Sequence, residues 1–313
     1  MKTCPRCHKV VVDESERSLQ ASEKAVTLNR EQQDYVRRVY EDEPLCDSCL
    51  HEIQAKIKPV AVRELSNFLL DYATTLMGAG VHTSRVVRNV TRIAGSFGYE
   101  AEMTIFQRHI TLHILQRQDD SVRRTSLRAI RPAAFNFEII SNLSTLSWQA
   151  HDNHLTMYEL REQFNAIVTK PRLSRWWVLW LVSFANASFC RLFGGDLWAM
   201  GLVFVATLIG FLLRQEMTLR HINHFAVFIL SAFVASMIAS LGVWASLGET
   251  PQIALGASVL FLIPGVPLIN SIIDLLEGYV LIGISRAVNA LSLIICISLG
   301  LSATLLILGT YAL

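Results

Sequence analysis

The second half of this sequence contains very few charged residues. Asp, Glu, Lys and Arg make up 17% of the 313 residues, whereas 52% are hydrophobic. Most of the charges precede residue 170, and after Trp176 the chain is almost continuously apolar. This composition excludes an ordinary soluble protein. We therefore expect a polar N-terminal half followed by an α-helical integral membrane domain.

Two further features are missing, and each narrows the range of functions. The first 20 residues contain no apolar stretch typical of a secretory signal peptide, so we expect the N-terminal half to lie in the cytosol. The polar half has no nucleophile elbow, phosphate-binding glycine loop or recognisable acid–base pair, so nothing favours an enzyme. The acidic run at residues 41–43 argues against nucleic-acid binding.

Four cysteines near the N-terminus form two C-x-x-C pairs, Cys4 with Cys7 and Cys46 with Cys49. Each pair can present two thiolates to one tetrahedral zinc ion, and in the cytosol this spacing favours a metal over disulfides. We predict a structural zinc in a zinc-ribbon-like module, residues 1–58, with a charged helical insert between the pairs. A redox dithiol is the alternative for either pair alone.

Residues 59–170 show the patterns of a cytosolic α+β domain. Apolar residues at helical spacing predict helices over 60–77 and from about 83 to 97, and alternation predicts strands near 101–106, 110–115 and 125–131. Two more helices follow at 135–149 and 156–168. Arg85, Arg88 and Arg92 fall on one face of the second helix, where they would meet an anion, a membrane surface or only solvent.

Residues 171–313 contain five candidate membrane spans. Basic residues before the first span and between the second and third predict that those loops are cytoplasmic, with the N-terminus inside and the C-terminus outside. We expect a multi-pass protein of the cell inner membrane. The spans are residues 176–192, 197–213, 225–244, 252–274 and 286–311.

The fourth span is interrupted by Pro264, Gly265 and Pro267. The prolines donate no backbone N–H, and Pro264 clashes with the preceding turn, so a break is expected. Pro264 lies roughly 18 Å beyond Gln252, slightly past the centre of a hydrocarbon core about 30 Å thick. Discontinuous helices at mid-depth are typical of secondary transporters, where the second half-helix can hold a carboxylate at its N-terminus. A kink that only shapes packing is the alternative.

Polar side chains extend from this break. Asn270, Asp274 and Glu277 share one helical face, and Arg286 is expected close to the two acids. They would form a polar path or proton relay, or else an ion cluster that anchors helix ends. Asn186 lies in the middle of the first span, where it either bonds to another helix or contacts substrate.

Four motifs follow one another along the chain. They are residues 80–85 (GVHTSR), 94–98 (AGSFG), 193–195 (FGG) and 263–278 (IPGVPLINSIIDLLEG), with Arg286 following. Their order resembles the threonine/serine exporter family, over residues 59 to the end. The resemblance implies export of small amino acids, or in one branch of succinate, driven by the proton motive force. It also implies a split form, in which a separate short membrane subunit supplies the second half of the transporter. The N-terminal zinc module departs from the family pattern.

Together these patterns predict a proton-coupled exporter subunit for threonine, serine or a dicarboxylate. Small residues in the third and fifth spans suit close helix packing within the chain or in an oligomer. A membrane-tethered zinc sensor or scaffold is the alternative function, although an anchor would not need a broken helix.

Overall fold

A computed structural model describes residues 61–116, 119–131, 135–171 and 173–311, together with a few positions before residue 50. The chain divides into two compact units, Met1–Lys170 and Pro171–Leu313. Cys4, Cys7 and Cys46 of the predicted zinc module lie outside the described residues, whereas Cys49 is described and buried. The zinc site therefore stays a prediction.

From residue 61 to residue 170, the described part of the first unit has four helices and a three-stranded antiparallel sheet of order β3-β4-β5. Two very short strands, β1 and β2, pair near the N-terminus. From residue 61 onward the order of elements is ααβββαα, as the sequence predicts. The elements are β1 (Lys2–Thr3), β2 (Val10–Val11), α1 (Val62–Gly78), α2 (Thr83–Ser96), β3 (Tyr99–Ile105), β4 (His109–Gln116), β5 (Asp119–Ala129), α3 (Phe137–Asp152) and α4 (Met157–Val168).

The core of this unit is built from one face of each helix and one face of the sheet. On β4, Ile110, Leu112 and Ile114 alternate with more exposed residues, which is the period-two pattern of a half-buried strand. In α1, the buried Tyr72 donates its hydroxyl to the Leu143 carbonyl oxygen of α3 at 2.6 Å. Burial raises the pKa of Tyr72, so this phenol stays a neutral donor.

The third strand differs most from its predicted bounds. It begins at Asp119, six positions before the predicted start at 125, and pairs with β4 through residues such as Arg123 and Arg124. The first residues of this strand are polar, so the alternation of apolar residues does not predict them. Main-chain pairing with β4 extends the strand regardless of side chain, because each residue offers an N–H and a C=O.

The second unit is entirely helical over the residues described, with one short 3₁₀ turn. Helix α7 packs against α6, α8 and α10, and α9 packs against α10. The elements are α5 (Arg175–Leu192), α6 (Leu197–Leu219), α7 (His224–Trp244), α8 (Pro251–Ala257), the 3₁₀ turn Leu260–Leu262, α9 (Gly265–Leu276) and α10 (Val280–Tyr311).

Among the described residues, α6, α7 and α10 are each long and apolar enough to cross a membrane, and the bent pair of α8 with α9 makes four if counted as one span. Helix α5 corresponds to the predicted first span. Its 18 residues include Arg175, Asn186 and Arg191, and it is not apolar enough to qualify with the others. Its role as a fifth span stays a prediction.

Close contact between α7 and α10 depends on Gly300. A Cβ at this position would lie 2.5 Å from the Ile229 carbonyl oxygen and 2.8 Å from the Ala232 Cβ. Opposite it on α7, Ala232, Ala235, Ser236 and Ala239 are buried. Nearby, the Ser236 and Thr304 hydroxyls are 2.6 Å apart. Small residues therefore let the two backbones approach closely, as is common between membrane helices.

Candidate functional site: the broken helix and its polar hairpin

The predicted break is present, and the two segments that it separates, Pro251–Leu262 and Gly265–Leu276, meet at 60°. Helix α8 ends at Ala257, seven positions before Pro264, and the 3₁₀ turn Leu260–Leu262 lies between them. Helix α9 then begins at Gly265, with Pro264 at its N-cap position. Pro267 is the third residue of α9, where its missing N–H removes no bond, because the first N–H groups of a helix have no partner within it.

Asn186 of α5 supports the end of α8. Its side-chain nitrogen donates to the Ala257 carbonyl oxygen at 3.1 Å and to the Thr207 hydroxyl of α6 at 2.6 Å. All three helices are thereby joined at one buried point, and Asn186 is only 3% exposed. In a continuous helix the Ala257 carbonyl would accept from the N–H of residue 261. Asn186 supplies an alternative donor at the end of the helix, as a broken membrane helix requires.

Asp196 fixes the start of the broken segment. Its carboxylate accepts from the Ala199 N–H at 2.8 Å, as the N-cap of α6, and from the Glu249 N–H at 2.8 Å. It also accepts from the hydroxyl of Thr250, the N-cap residue of α8, at 3.1 Å. The backbone hydrogen bonds, that from Ala199 first, lower the pKa of Asp196. The loop before α6 and the loop before α8 are thus held together.

A buried ion pair closes the hairpin formed by α9 and α10. Arg286 Nη1 of α10 lies 2.9 Å from Asp274 Oδ2 of α9, and the Asp274 side chain is fully buried while that of Arg286 is 16% exposed. The turn between the helices has Gly278 at φ +86°, and the Tyr279 N–H donates to the Asp274 carbonyl at 2.8 Å. This left-handed glycine turn brings the two charges face to face.

The remaining predicted residues are distributed along α9. Pro264 is buried, and Gly265, Pro267 and Asn270 are partly buried, whereas Glu277 is exposed at the C-terminal end of the helix. The predicted set is therefore brought together in two places. Pro264, Gly265 and Pro267 form the break, and Asp274 with Arg286 forms the ion pair about two and a half turns further along α9. Asn186 acts on the other side of the break, at the end of α8.

Three residues in this region were missed from the sequence: Thr207, Asp196 and Thr250. A threonine in an apolar span and a Gly-Asp-Leu loop are both common, so neither pattern indicates a role. An N-cap aspartate directly before an apolar helix was a usable signal for the start of α6. Its second bond, to a loop some fifty residues away, depends on the fold.

The geometry defines what this region can do. A guanidinium has a fork of N–H donors that matches a carboxylate, and here a carboxylate of the chain itself is its partner. Such a pair can open when either a proton or a competing anion neutralises one member. The half-helix that carries Asp274 begins at the proline break, so its N-terminal N–H groups and the ion pair lie on one short segment.

Comparison with known proteins gives consistent results. The pattern of the family described as "Putative threonine/serine exporter" matches residues 67–308. The chain is 28% identical over 248 residues to the "Probable succinate transporter subunit YjjP" of Klebsiella aerogenes, covering 78% of this chain and 94% of that protein. The protein of the same name in Escherichia coli K12 is 27% identical over 247 residues, covering 78% and 95%.

No solved structure shows significant similarity to this chain. Residues 1–66, which include the four cysteines of the predicted zinc module, lie outside the family match. The match includes the break, the hairpin with its ion pair, and Asn186, so these features lie within the part of the chain that the family defines. The chain belongs to the threonine/serine exporter family.

Proposed function

We propose that this chain is one subunit of a proton-coupled exporter for small carboxylate-bearing metabolites, either threonine and serine or a dicarboxylate such as succinate. It would lie in the inner membrane with its N-terminus in the cytoplasm and its C-terminus outside. The proposal rests on Asp274, which is fully buried on the half-helix that follows the proline break and is paired with Arg286 of α10. A structural anchor has no need of either feature, and family membership favours transport.

The substrate carboxylate would be recognised in two steps. It would first compete with Asp274 for the guanidinium of Arg286, on the cytoplasmic side of the break. It would then reach the N-terminal end of α9 at Gly265, where main-chain N–H groups and the helix dipole favour an anion. Asp274 is about 15 Å from Pro264 along the helix, so a small acid would occupy these positions one after the other.

Proton coupling would follow from the same pair. Asp274 is the one charged residue that is fully buried among those described. Protonation of this carboxyl would weaken its attraction to Arg286 and release the guanidinium for the substrate. The exposed Glu277 lies one turn further along α9 and would exchange protons with the solvent, forming the cytoplasmic end of the relay.

A second membrane subunit would complete the transporter. Both curated relatives are named as subunits, and this chain spans 94% and 95% of their lengths. In this chain α9 packs mainly against α10. Its other side carries Ile269, Ile272 and Leu276, which are 59%, 56% and 82% exposed. The partner would cover this side and thereby enclose the path beside the break.

The proposal is tested by efflux of preloaded, labelled threonine and succinate from cells. Efflux is measured with the chain alone, with a candidate short membrane subunit added, and with that pair carrying Pro264→Leu and Pro267→Leu. Leucines restore the missing N–H donors and favour a continuous helix, so we expect insertion to persist and efflux to cease.

Pro171→Leu is the matched control, because this proline is exposed and lies outside the break. Efflux should require the intact pair and survive the control substitution. Undiminished efflux by the double leucine variant would refute a transport role for the break. Absence of efflux for both compounds in the intact pair would refute the proposed substrates.

A further inference from the structure

A cleft on the surface of the first unit has no assigned role. Its volume is about 470 Å³, within the range of small-molecule sites. It lies between α2 and the C-terminal end of α3. The cleft is lined by Val87, Arg88, Thr91, Arg92, Gly95 and His151.

Arg92 is held rigidly at one side of this cleft. Its guanidinium carbon lies 3.6 Å from the centre of the Trp148 ring, a stacked cation–π contact. Its Nη1 donates to the Ser147 hydroxyl at 2.7 Å and to the Asn89 side-chain oxygen at 3.1 Å. Both bonds use the same terminal nitrogen, so the guanidinium is anchored at one corner and along one face. A pre-organised guanidinium loses little entropy when it binds an anion.

The two residues in the lining of the cleft with a fixed charge, Arg88 and Arg92, are both cationic. They are four residues apart on α2, a spacing at which like charges repel each other. His151, also in the lining, bonds to Asp152 at 3.0 Å, which places an acid at the edge. Burial lowers the pKa of Arg92; Tyr72 and Asp152 oppose this effect, and Arg88 adds to it. The two guanidiniums thus form the charged part of the lining.

We propose that this cleft binds a small oxyanion, a carboxylate or a phosphate, between Arg88 and Arg92. Arginine pairs are the usual recognition element for such groups because the fork of N–H donors fits two oxygens at once. The Thr91 hydroxyl and His151 would complete the contacts. The site lies in the first unit and is separate from the broken helix, so it does not depend on the proposed transport function.

Gly95 offers a way to block the cleft without disturbing the fold. A Cβ at this position would meet no atom within 4 Å, so the space beside it is open. Leucine is a better helix former than glycine. Gly95→Leu should therefore fill the cleft while leaving α2 intact.

The test uses the purified full-length chain in detergent, labelled with fluorotryptophan for fluorine NMR. Trp148 stacks on Arg92 and reports occupancy, and its signal is assigned with Trp148→Phe. Succinate and inorganic phosphate are titrated separately, with chloride at matched ionic strength as the reference. We expect the Trp148 signal to shift saturably with at least one of the two oxyanions and not with chloride.

Arg88→Gln should weaken binding at least about tenfold, and Gly95→Leu should abolish it. Arg85→Gln is the matched control, because Arg85 is exposed on the same helix but does not line the cleft, and it should change binding less than about twofold. The proposal is overturned if neither oxyanion shifts the Trp148 signal, or if Arg85→Gln and Arg88→Gln weaken binding equally. The second result would indicate general charge attraction. A phosphate-only or succinate-only response identifies which oxyanion the site takes.

Discussion

The side-chain nitrogen of Asn186 donates to the carbonyl oxygen of Ala257 at 3.1 Å, at the residue where helix α8 ends. This bond joins helix α5, at the start of the second unit, to the helix end that precedes the proline break. The same nitrogen donates to Thr207, so three helices share one buried amide. The break is therefore held from outside the broken segment as well as by its own prolines.

Replacing Asn186 with leucine should destabilise the chain by about 1–3 kcal/mol, because the buried Ala257 carbonyl and Thr207 hydroxyl each lose a partner. The thermal unfolding midpoint in detergent measures the change, and efflux should fall with it. Ser188→Ala is a suitable control, since Ser188 is exposed on the same helix and bonds only to its own turn at Phe184. Equal midpoints for the two variants would contradict this role for Asn186.

Removing one member of the buried ion pair should lower the free energy of unfolding more than removing both charges. Asp274→Asn alone leaves the guanidinium of Arg286 without its counter-charge, which typically costs about 3–5 kcal/mol for buried pairs. Adding Arg286→Gln should recover much of the stability but not efflux. Unfolding in detergent for the two single variants and the double variant gives the coupling energy.

The exposed pair of Arg220 with Glu216, at 3.0 Å, is the control for the ion-pair experiment. Glu216→Gln should change stability by no more than about 1 kcal/mol. If the changes in the free energy of unfolding of the two single hairpin variants sum to that of the double variant, Asp274 and Arg286 are not coupled.

Gly300→Ala should weaken the packing of α7 against α10, because the added Cβ would meet the backbone oxygen of Ile229 at 2.5 Å. Backbone cannot move as a side-chain tip can, so the helices must separate. Gly201→Ala provides a matched comparison in α6, where a Cβ meets nothing within 4 Å. There the better helix propensity of alanine should leave stability unchanged or slightly raised. Similar unfolding midpoints for both variants would refute the close approach.

Stability should depend on pH through Asp196. The folded-state pKa of this carboxyl is lowered from its ordinary value of 3.8, first by the Ala199 N–H and then by the Glu249 N–H. Its contribution is therefore fully present above pH 3.8 and is lost as the pH falls through the lower folded-state value.

Asp196→Asn keeps a good N-cap residue but removes the charge. Between about pH 5 and about pH 2 the difference in unfolding midpoint between the natural chain and this variant should shrink. Ser188→Ala removes no titratable group, so its difference from the natural chain should stay constant over this range. If the difference in unfolding midpoint for Asp196→Asn stays constant over this range, the charge of Asp196 does not contribute to stability.

We also propose that the purified chain carries one zinc ion, held by Cys4, Cys7, Cys46 and Cys49. Elemental analysis should find about one equivalent, and Cys4→Ser with Cys46→Ser should remove it, because structural zinc sites use four thiolate or imidazole ligands. Cys190→Ser and Cys296→Ser are controls, since both cysteines are buried in the helical unit. Deletion of residues 1–58 should leave efflux intact if the module is regulatory.

The sequence determined much of this protein by itself. Apolar periodicity, glycine stops and cap residues located four helices and three strands in the first unit, because these signals act within a few residues. Pro264 and Pro267 located the break in the fourth span for the same reason, since a missing N–H and a ring clash are local properties. The facing positions of Asn270, Asp274 and Glu277 follow from helical geometry alone.

The tertiary structure decided where the breaks and pairs actually lie. Helix α8 ends at Ala257, and there Asn186 donates to its last carbonyl from seventy-one positions away. Asp196 reaches Glu249 and Thr250 in the same way, and β5 extends to Asp119 because β4 offers hydrogen bonds to a polar strand. Arg286 pairs with Asp274 because a glycine turn folds α10 back along α9. Each of these contacts joins residues that are distant along the chain, and a local sequence pattern does not predict which distant residue a side chain will contact.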